Sequence, residues 1–197
     1  MKKIGITGGI GSGKSFVSRI FKEMGIPIYN SDVRAKELMN EDVVLKKQVV
    51  DLFGEDAYKE GFLNRPFIAS IVFNDPLKLK KLESFVHPAV KRDTDVWFEQ
   101  LTNVPYALKE AALIYETGGQ QFLDFVIVVS APNALRIERT VKRDQITAEA
   151  VQKRMDKQFP QEKKIVLADY HIVNDGQTSL LKQIWEIHLD LIEPKQL

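Results

Sequence analysis

The stretch Gly8-Gly9-Ile10-Gly11-Ser12-Gly13-Lys14-Ser15 decides the fold. It matches the pattern G-x-x-x-x-G-K-[ST] throughout. Upstream, residues 3–7 read as a short buried strand. Downstream, Val17, Ile20, Phe21 and Met24 share one face at helical spacing, which predicts a helix over 14–24 that Gly25 stops. A strand, a glycine-rich turn and a helix in that order make a phosphate cradle. Glycines let backbone N–H groups turn inward and approach an anion closely. The helix N-terminus adds partial positive charge. The Lys14 ammonium then reaches β- and γ-phosphates, and the Ser15 hydroxyl serves Mg²⁺. The expected ligand is ATP–Mg²⁺, with Gly8, Gly9, Gly11, Ser12, Gly13, Lys14 and Ser15 around its phosphates. The bland alternative is a glycine-rich turn that binds nothing.

Working outward, strand and helix signals alternate. Residues 27–29 predict a second strand that enters a helix over 31–39. Helices follow at 43–53, 64–72, 75–86 and 88–101, each with apolar residues three and four apart. Asp75-Pro76 reads as an N-cap with proline in the first turn. His87-Pro88 reads as a second helix start, since proline disfavours helix at the residue before it. A strand lies within 106–115 and ends near Glu110. The β-branched run Phe125-Val126-Ile127-Val128-Val129-Ser130 is the clearest central strand. Helices at 133–143 and 147–157, a strand at 171–174 and a helix at 178–189 complete the chain. Strands separated by helices predict an α/β fold with a parallel five-stranded sheet flanked by helices. Such sheets bind ligands outside the carboxyl ends of their strands.

Composition narrows the class. The chain has 197 residues, which suits one compact domain with a small inserted part. There is no cysteine, which excludes disulfides, thiolate metal sites and a cysteine nucleophile. The three histidines form no cluster that suggests zinc, and His171 and His188 are expected to pack or lie at the surface. A formal net charge of +1 argues against duplex nucleic acid as a partner. The cluster Lys78, Lys80, Lys81 reads as a solvated helix face. No window approaches the roughly 18 apolar residues of a membrane span. The start, Met1-Lys2-Lys3 followed by Ile4-Gly5-Ile6-Thr7-Gly8-Gly9, is too glycine-rich for a secretory apolar region. The expected compartment is the cytoplasm. A GTPase would carry a guanine-reading Asn-Lys-x-Asp, and the chain has none. A small P-loop kinase fits the length and the helical insert. Asp32, just past the second strand, is placed to orient or deprotonate an attacking hydroxyl. It equally suits a helix start, where the dipole favours an aspartate.

At this point the chain resembles the dephospho-CoA kinase family along nearly its whole length. The resemblance rests on Gly8–Ser15, Asp32, Leu63-Asn64-Arg65, Ile71-Val72-Phe73 and the run from Leu82 to His87-Pro88. It continues through Leu113-Ile114-Tyr115-Glu116-Thr117-Gly118, Arg139, Arg143-Asp144, Gln158, Ala168-Asp169 and Asn174-Asp175-Gly176. It implies that ATP phosphorylates the ribose 3′-hydroxyl of dephospho-CoA, giving coenzyme A and ADP. It implies Asp32 as base or orienter of that hydroxyl, and Arg65 and His87 on the acceptor side. Residues 31–103 would be the acceptor-binding insert, 139–160 a lid over ATP, and 1–30, 104–138 and 165–197 the core. Arg139 and Arg143 would approach the phosphates, and Asn174 and Gly176 the adenine. Read without the resemblance, Arg139 and Arg143 are an i, i+4 pair on an exposed helix face, free to pair with Glu138 or Asp144. His87 equally reads as a helix cap.

Three departures from the family pattern stand out. Phe16 replaces the usual threonine after Lys-Ser, which leaves only its backbone N–H for phosphate. Asn30-Ser31-Asp32 replaces Asp-Ala-Asp and retains the second acid. Glu110 replaces an aspartate and Ala112 a proline; Glu110 is a further candidate for Mg²⁺, through water. The alternatives carried forward are a P-loop kinase for another small metabolite and an ATP-binding regulatory module that transfers nothing.

Overall fold

The computed structural model describes residues 1–193. In chain order the elements are β1 (Lys2–Thr7), α1 (Lys14–Glu23), β2 (Ile28–Asn30), α2 (Ser31–Glu41), α3 (Val43–Phe53), β3 (Tyr58–Lys59), β4 (Phe62–Leu63), α4 (Arg65–Asn74) and α5 (Pro76–Gln100). Then come β5 (Tyr106–Glu110), β6 (Phe125–Ser130), α6 (Asn133–Asp144), α7 (Ala148–Met155), α8 (Gln161–Val166), β7 (Tyr170–Val173) and α9 (Leu180–Ile192). The chain divides into two compact units, residues 31–100 and the remainder. Of the expected core segment 165–197, residues 194–197 lie outside the described residues.

The larger unit holds a five-stranded sheet in the order β2-β5-β1-β6-β7, parallel at every pairing. Its central strands β1, β5 and β6 are buried along most of their length, so they read as apolar runs rather than alternations, while the edge strands β2 and β7 are only partly buried. Alternation within them still sorts side chains by face. Ile127 and Val129 join Ile4, Ile6, Tyr106, Leu108 and Ile172 in one core with Val17 and Phe21 of α1 and Ile184 and Leu191 of α9. Val126 and Val128 point the other way, onto Ile114 and Tyr115, with Phe159 and Ile165 packed against them. Register brings the carboxyl ends to one edge: Ile6 and Asn30 both lie opposite Glu110, Thr7 opposite Val128, and Ser130 opposite Val173.

The unit 31–100 is helical, with the small antiparallel pair β3–β4 turning at Glu60-Gly61. Local signals fix its helix starts. Asp42 Oδ1 accepts from the N–H groups of Val44 and Leu45, and Asp75 Oδ1 from those of Leu77 and Lys78. One expectation fails here. Pro88 does not begin a helix but lies inside α5. Val86, Ala89, Val90, Thr94 and Phe98 are all buried, a single face that runs straight through the proline. Keeping that face intact outweighs the roughly 3 kcal/mol an interior proline costs. The β3–β4 pair and α8 are further elements that the sequence reading did not contain. Among the described residues, no helix is long and apolar enough to cross a membrane.

Candidate active site

The cradle begins where β1 ends. Gly13 caps α1 in the left-handed region, at φ 89°, with no side-chain cap and no acidic residue in the first turn. A β-carbon there would also lie 2.1 Å from Asn174 Nδ2. Glycine is therefore required twice over, by backbone conformation and by space. The Gly13 carbonyl accepts from the N–H groups of Phe16 and Val17. The Phe16 ring is exposed, so the residue contributes to the loop through its backbone.

Residues distant in sequence converge on this loop. Asn174, just past β7, donates from Nδ2 to the Ser12 carbonyl at 2.8 Å. Arg139, on α6, donates to the Asn174 carbonyl at 3.1 Å. Arg143 is not part of that chain of bonds: its guanidinium forks onto Asp144 at 2.7 and 3.1 Å, and Arg154 joins the same carboxylate. Of the two ion-pair partners expected for this helix face, Asp144 is the one engaged. Gly176 sits in a turn where Asp175 Oδ1 accepts from the N–H groups of Gln177 and Thr178.

Glu110 ends β5 and is 3% exposed. The Ser15 hydroxyl donates to its Oε1 at 2.5 Å. A hydroxyl and a carboxylate oxygen side by side suit a hard cation that takes its remaining ligands from water and phosphate. Among the described residues there is no group of three or more His, Cys, Asp or Glu able to hold a metal alone. Ser15 and Glu110 thus fit Mg²⁺ that arrives with a nucleotide.

Three side chains beneath the loop escaped the sequence reading or its assignment of roles. Arg136 is 5% exposed, and its Nε donates to the Ile10 carbonyl at 3.0 Å. Burial pulls its pKa down, against a smaller upward push from Glu162. Lys164 is fully buried and places Nζ 2.7 Å from Glu116 Oε1 and 3.1 Å from the Ala112 carbonyl. Burial lowers its pKa; Glu116 opposes that, while Lys14 and Arg136 add to it. Glu116 Oε1 also accepts from the Phe159 N–H. Helical spacing marked Arg139 and Arg143 as charged-face residues, and nothing in a lone arginine or a Lys-Lys pair announces burial.

The acceptor-side candidates belong to the unit 31–100. Asp32 is exposed in the first turn of α2. Arg65 opens α4 directly after its N-cap, Asn64, and is exposed. His87 is exposed in the middle of α5, so the cap alternative for it falls away. Arg34 ties α2 to α5 through a fork onto Asp93 at 2.9 and 3.1 Å.

Comparison with known proteins follows this geometry. A profile of the family described as dephospho-CoA kinase matches residues 2–179. A dephospho-CoA kinase of Bacteroides fragilis is 37% identical over 185 residues, 94% of this chain and 90% of that one. A crystal structure from Thermus thermophilus superposes with a TM-score of 0.87 at 32% identity, covering 98% of both chains. A dephospho-CoA kinase structure from Campylobacter jejuni gives 0.69 at 26% identity, covering 96% of both.

Proposed function

The chain belongs to the dephospho-CoA kinase family, and from that membership we propose how its own residues carry out the ATP-dependent phosphorylation of dephospho-CoA in coenzyme A synthesis. The acceptor atom is the ribose 3′-hydroxyl. The loop amides from Gly8 to Phe16 and the Lys14 ammonium hold the β- and γ-phosphates. Ser15 and Glu110 would hold Mg²⁺, which when bound would supply charge neutralisation for the phosphates. Arg139 supplies positive charge as the transferred group moves between oxygens. Arg143, once released from Asp144, closes over the nucleotide with the rest of a lid formed by residues 139–160. Asn174 and Gly176 line the adenine. Asp32 accepts the 3′-hydroxyl proton as the new O–P bond forms and the bond to ADP breaks. Arg65 and His87 bind the acceptor.

The observation that carries this reading is the Ser15–Glu110 pair at 2.5 Å, at the mouth of an uncapped helix whose second residue is Ser15. It supports nucleotide–metal chemistry despite the replacement of aspartate by Glu110, which with Phe16 is the change on which a purely regulatory module would rest. Asp32→Asn tests the transfer step. We expect kcat to fall by about 10²-fold or more, the low end for loss of a general base, with thermal stability and ATP affinity unchanged. The product of the wild-type reaction should co-elute with coenzyme A. Near-normal kcat in the variant would return Asp32 to a helix-start role.

A further inference from the structure

Both backbone polar groups of Ile10, which belong to the two successive peptides that flank it, are engaged by side chains. The N–H donates to Gln158 Oε1 at 2.9 Å, and the carbonyl accepts from Arg136 Nε at 3.0 Å. Arg136 lies on α6 and Gln158 just past α7, so the two grips bracket the helical hairpin that carries Arg139 and Arg143. Each grip is itself anchored. Arg136 Nη1 donates to Asn133 Oδ1 at 2.9 Å. The segment after Gln158 is pinned by the Phe159 N–H on Glu116 and by Gln161 Oε1, which accepts from the Ala131 N–H at 3.0 Å. The fit is close: a β-carbon at Gly9 would lie 2.2 Å from Arg136 Nη2.

We propose that Arg136 and Gln158 are positioning residues that lock the backbone on both sides of Ile10 and so couple the α6–α7 hairpin to the nucleotide cradle. The proposal rests on the kinase reading above. A hairpin drawn inward by phosphate charge on Arg139 and Arg143 pulls on the loop through these two hydrogen bonds. A loop ordered by phosphate sets the hairpin in return. The coupling needs a donor at the Arg136 Nε position and an acceptor at Gln158. It does not need the guanidinium charge.

That distinction makes the test. Glutamine places an N–H the same number of bonds from Cα as Arg Nε, without charge, whereas methionine matches the length and donates nothing. Arg136→Met and Gln158→Met are each expected to raise the ATP Kd, measured by titration without acceptor, and the ATP KM about tenfold, the scale of a small misplacement. The KM for dephospho-CoA stays within about twofold, as a hairpin effect confined to nucleotide requires. Arg136→Gln keeps ATP affinity within about threefold of the wild type. The double methionine variant is no weaker than the worse single one, because both grips hold the same residue and losing either frees it. Arg136→Gln as damaged as Arg136→Met would mean that the charge is what matters, and would overturn the proposal. Multiplying effects, or an effect on the acceptor KM instead, would overturn it too. If the buried Arg136→Met variant does not fold, Gln158→Met carries the test alone, and an unchanged ATP Kd sinks the idea. Silence of the wild type towards dephospho-CoA, with the expected pattern in ATP Kd, would discard the acceptor assignment and leave the coupling standing.

Discussion

Lys164 in the sheet-bearing unit and Arg34 in the helical unit both gather oxygen partners, but at opposite depths. Lys164 is 0% exposed, with Glu116 Oε1 at 2.7 Å and the Ala112 carbonyl at 3.1 Å. Arg34 is 29% exposed and meets three carboxylates: Asp93, Glu37 at 2.7 Å and Glu41 at 3.3 Å. Burial drives the Lys164 pKa down. The hydrogen bonds to Asp93 and then Glu37 drive the Arg34 pKa up. Below the cradle, water cannot replace a lost partner, so one carboxylate and one carbonyl must offset the cost of burying an ammonium. On the helical unit, water and neighbouring acids share the work. The floor of the cradle is therefore intolerant of change, whereas α2, which carries Asp32, is fastened by contacts that tolerate it.

The largest expected effect breaks or confirms the buried half of that contrast. Lys164→Met leaves Glu116, 12% exposed, without its cation, and should cost about 3–5 kcal/mol of unfolding free energy in urea titrations. Adding Glu116→Leu should recover most of the loss, since an apolar pair replaces the ion pair. A cost below about 1 kcal/mol for the single variant would show that water reaches the site and that the contrast is one of degree.

Arg34→Ala is the matching test on the helical side. It should cost only about 1 kcal/mol, the upper range for a partly exposed pair with good geometry. The cost should shrink in 1 M salt, where the screening length is about 3 Å. A loss that equals that of Lys164→Met, or that salt leaves unchanged, would put the α2–α5 fastening in the same class as the buried pair.

The same division explains what the sequence makes legible. The cradle announces itself because its chemistry is local: glycines, Lys14 and Ser15 lie together in the chain, between a strand and a helix. The central parallel strands are equally plain, since burial along most of their length leaves runs such as residues 125–130. The floor of the cradle is hidden because Arg136, Lys164 and Glu116 meet only through the sheet, and a charged residue in a sequence reads as solvated. Pro88 misleads for the opposite reason. Its local preference is clear, and a buried face formed by Val86, Ala89, Val90, Thr94 and Phe98 overrides it. The β3–β4 pair is missed because strands of two residues carry no periodicity, although Gly61 between Tyr58 and Leu63 is a turn signal. On the acceptor side, only Asp32 has a reading from its own position, past the second strand; Arg65 and His87 are candidates through the family resemblance alone, and the three lie on different helices and form no local motif.

The smallest effect concerns the tip of the α6–α7 hairpin, where the sheet-bearing unit carries a surface ion pair of its own. Asp144 is 23% exposed, but its partners Arg143 and Arg154 are 63% and 52% exposed. The hydrogen bond from Arg143, with Arg154 adding charge, holds its carboxyl below the ordinary 3.8. A carboxylate whose pKa falls on folding stabilises the folded state above its unfolded pKa. That contribution is lost as pH drops through the lower folded value. Asp144→Asn should therefore cost less than about 1 kcal/mol at pH 7, after solvent screening is allowed for. Wild type and variant should converge in stability once the pH falls below the lowered folded-state value of Asp144. The same variant releases Arg143. If that arginine moves onto nucleotide phosphate, the variant should bind ATP at least as tightly as the wild type, because one competing partner is gone. Weaker ATP binding at full stability would mean that the Arg143–Asp144 pair shapes the closed hairpin, and would extend the intolerance of the cradle out to its surface.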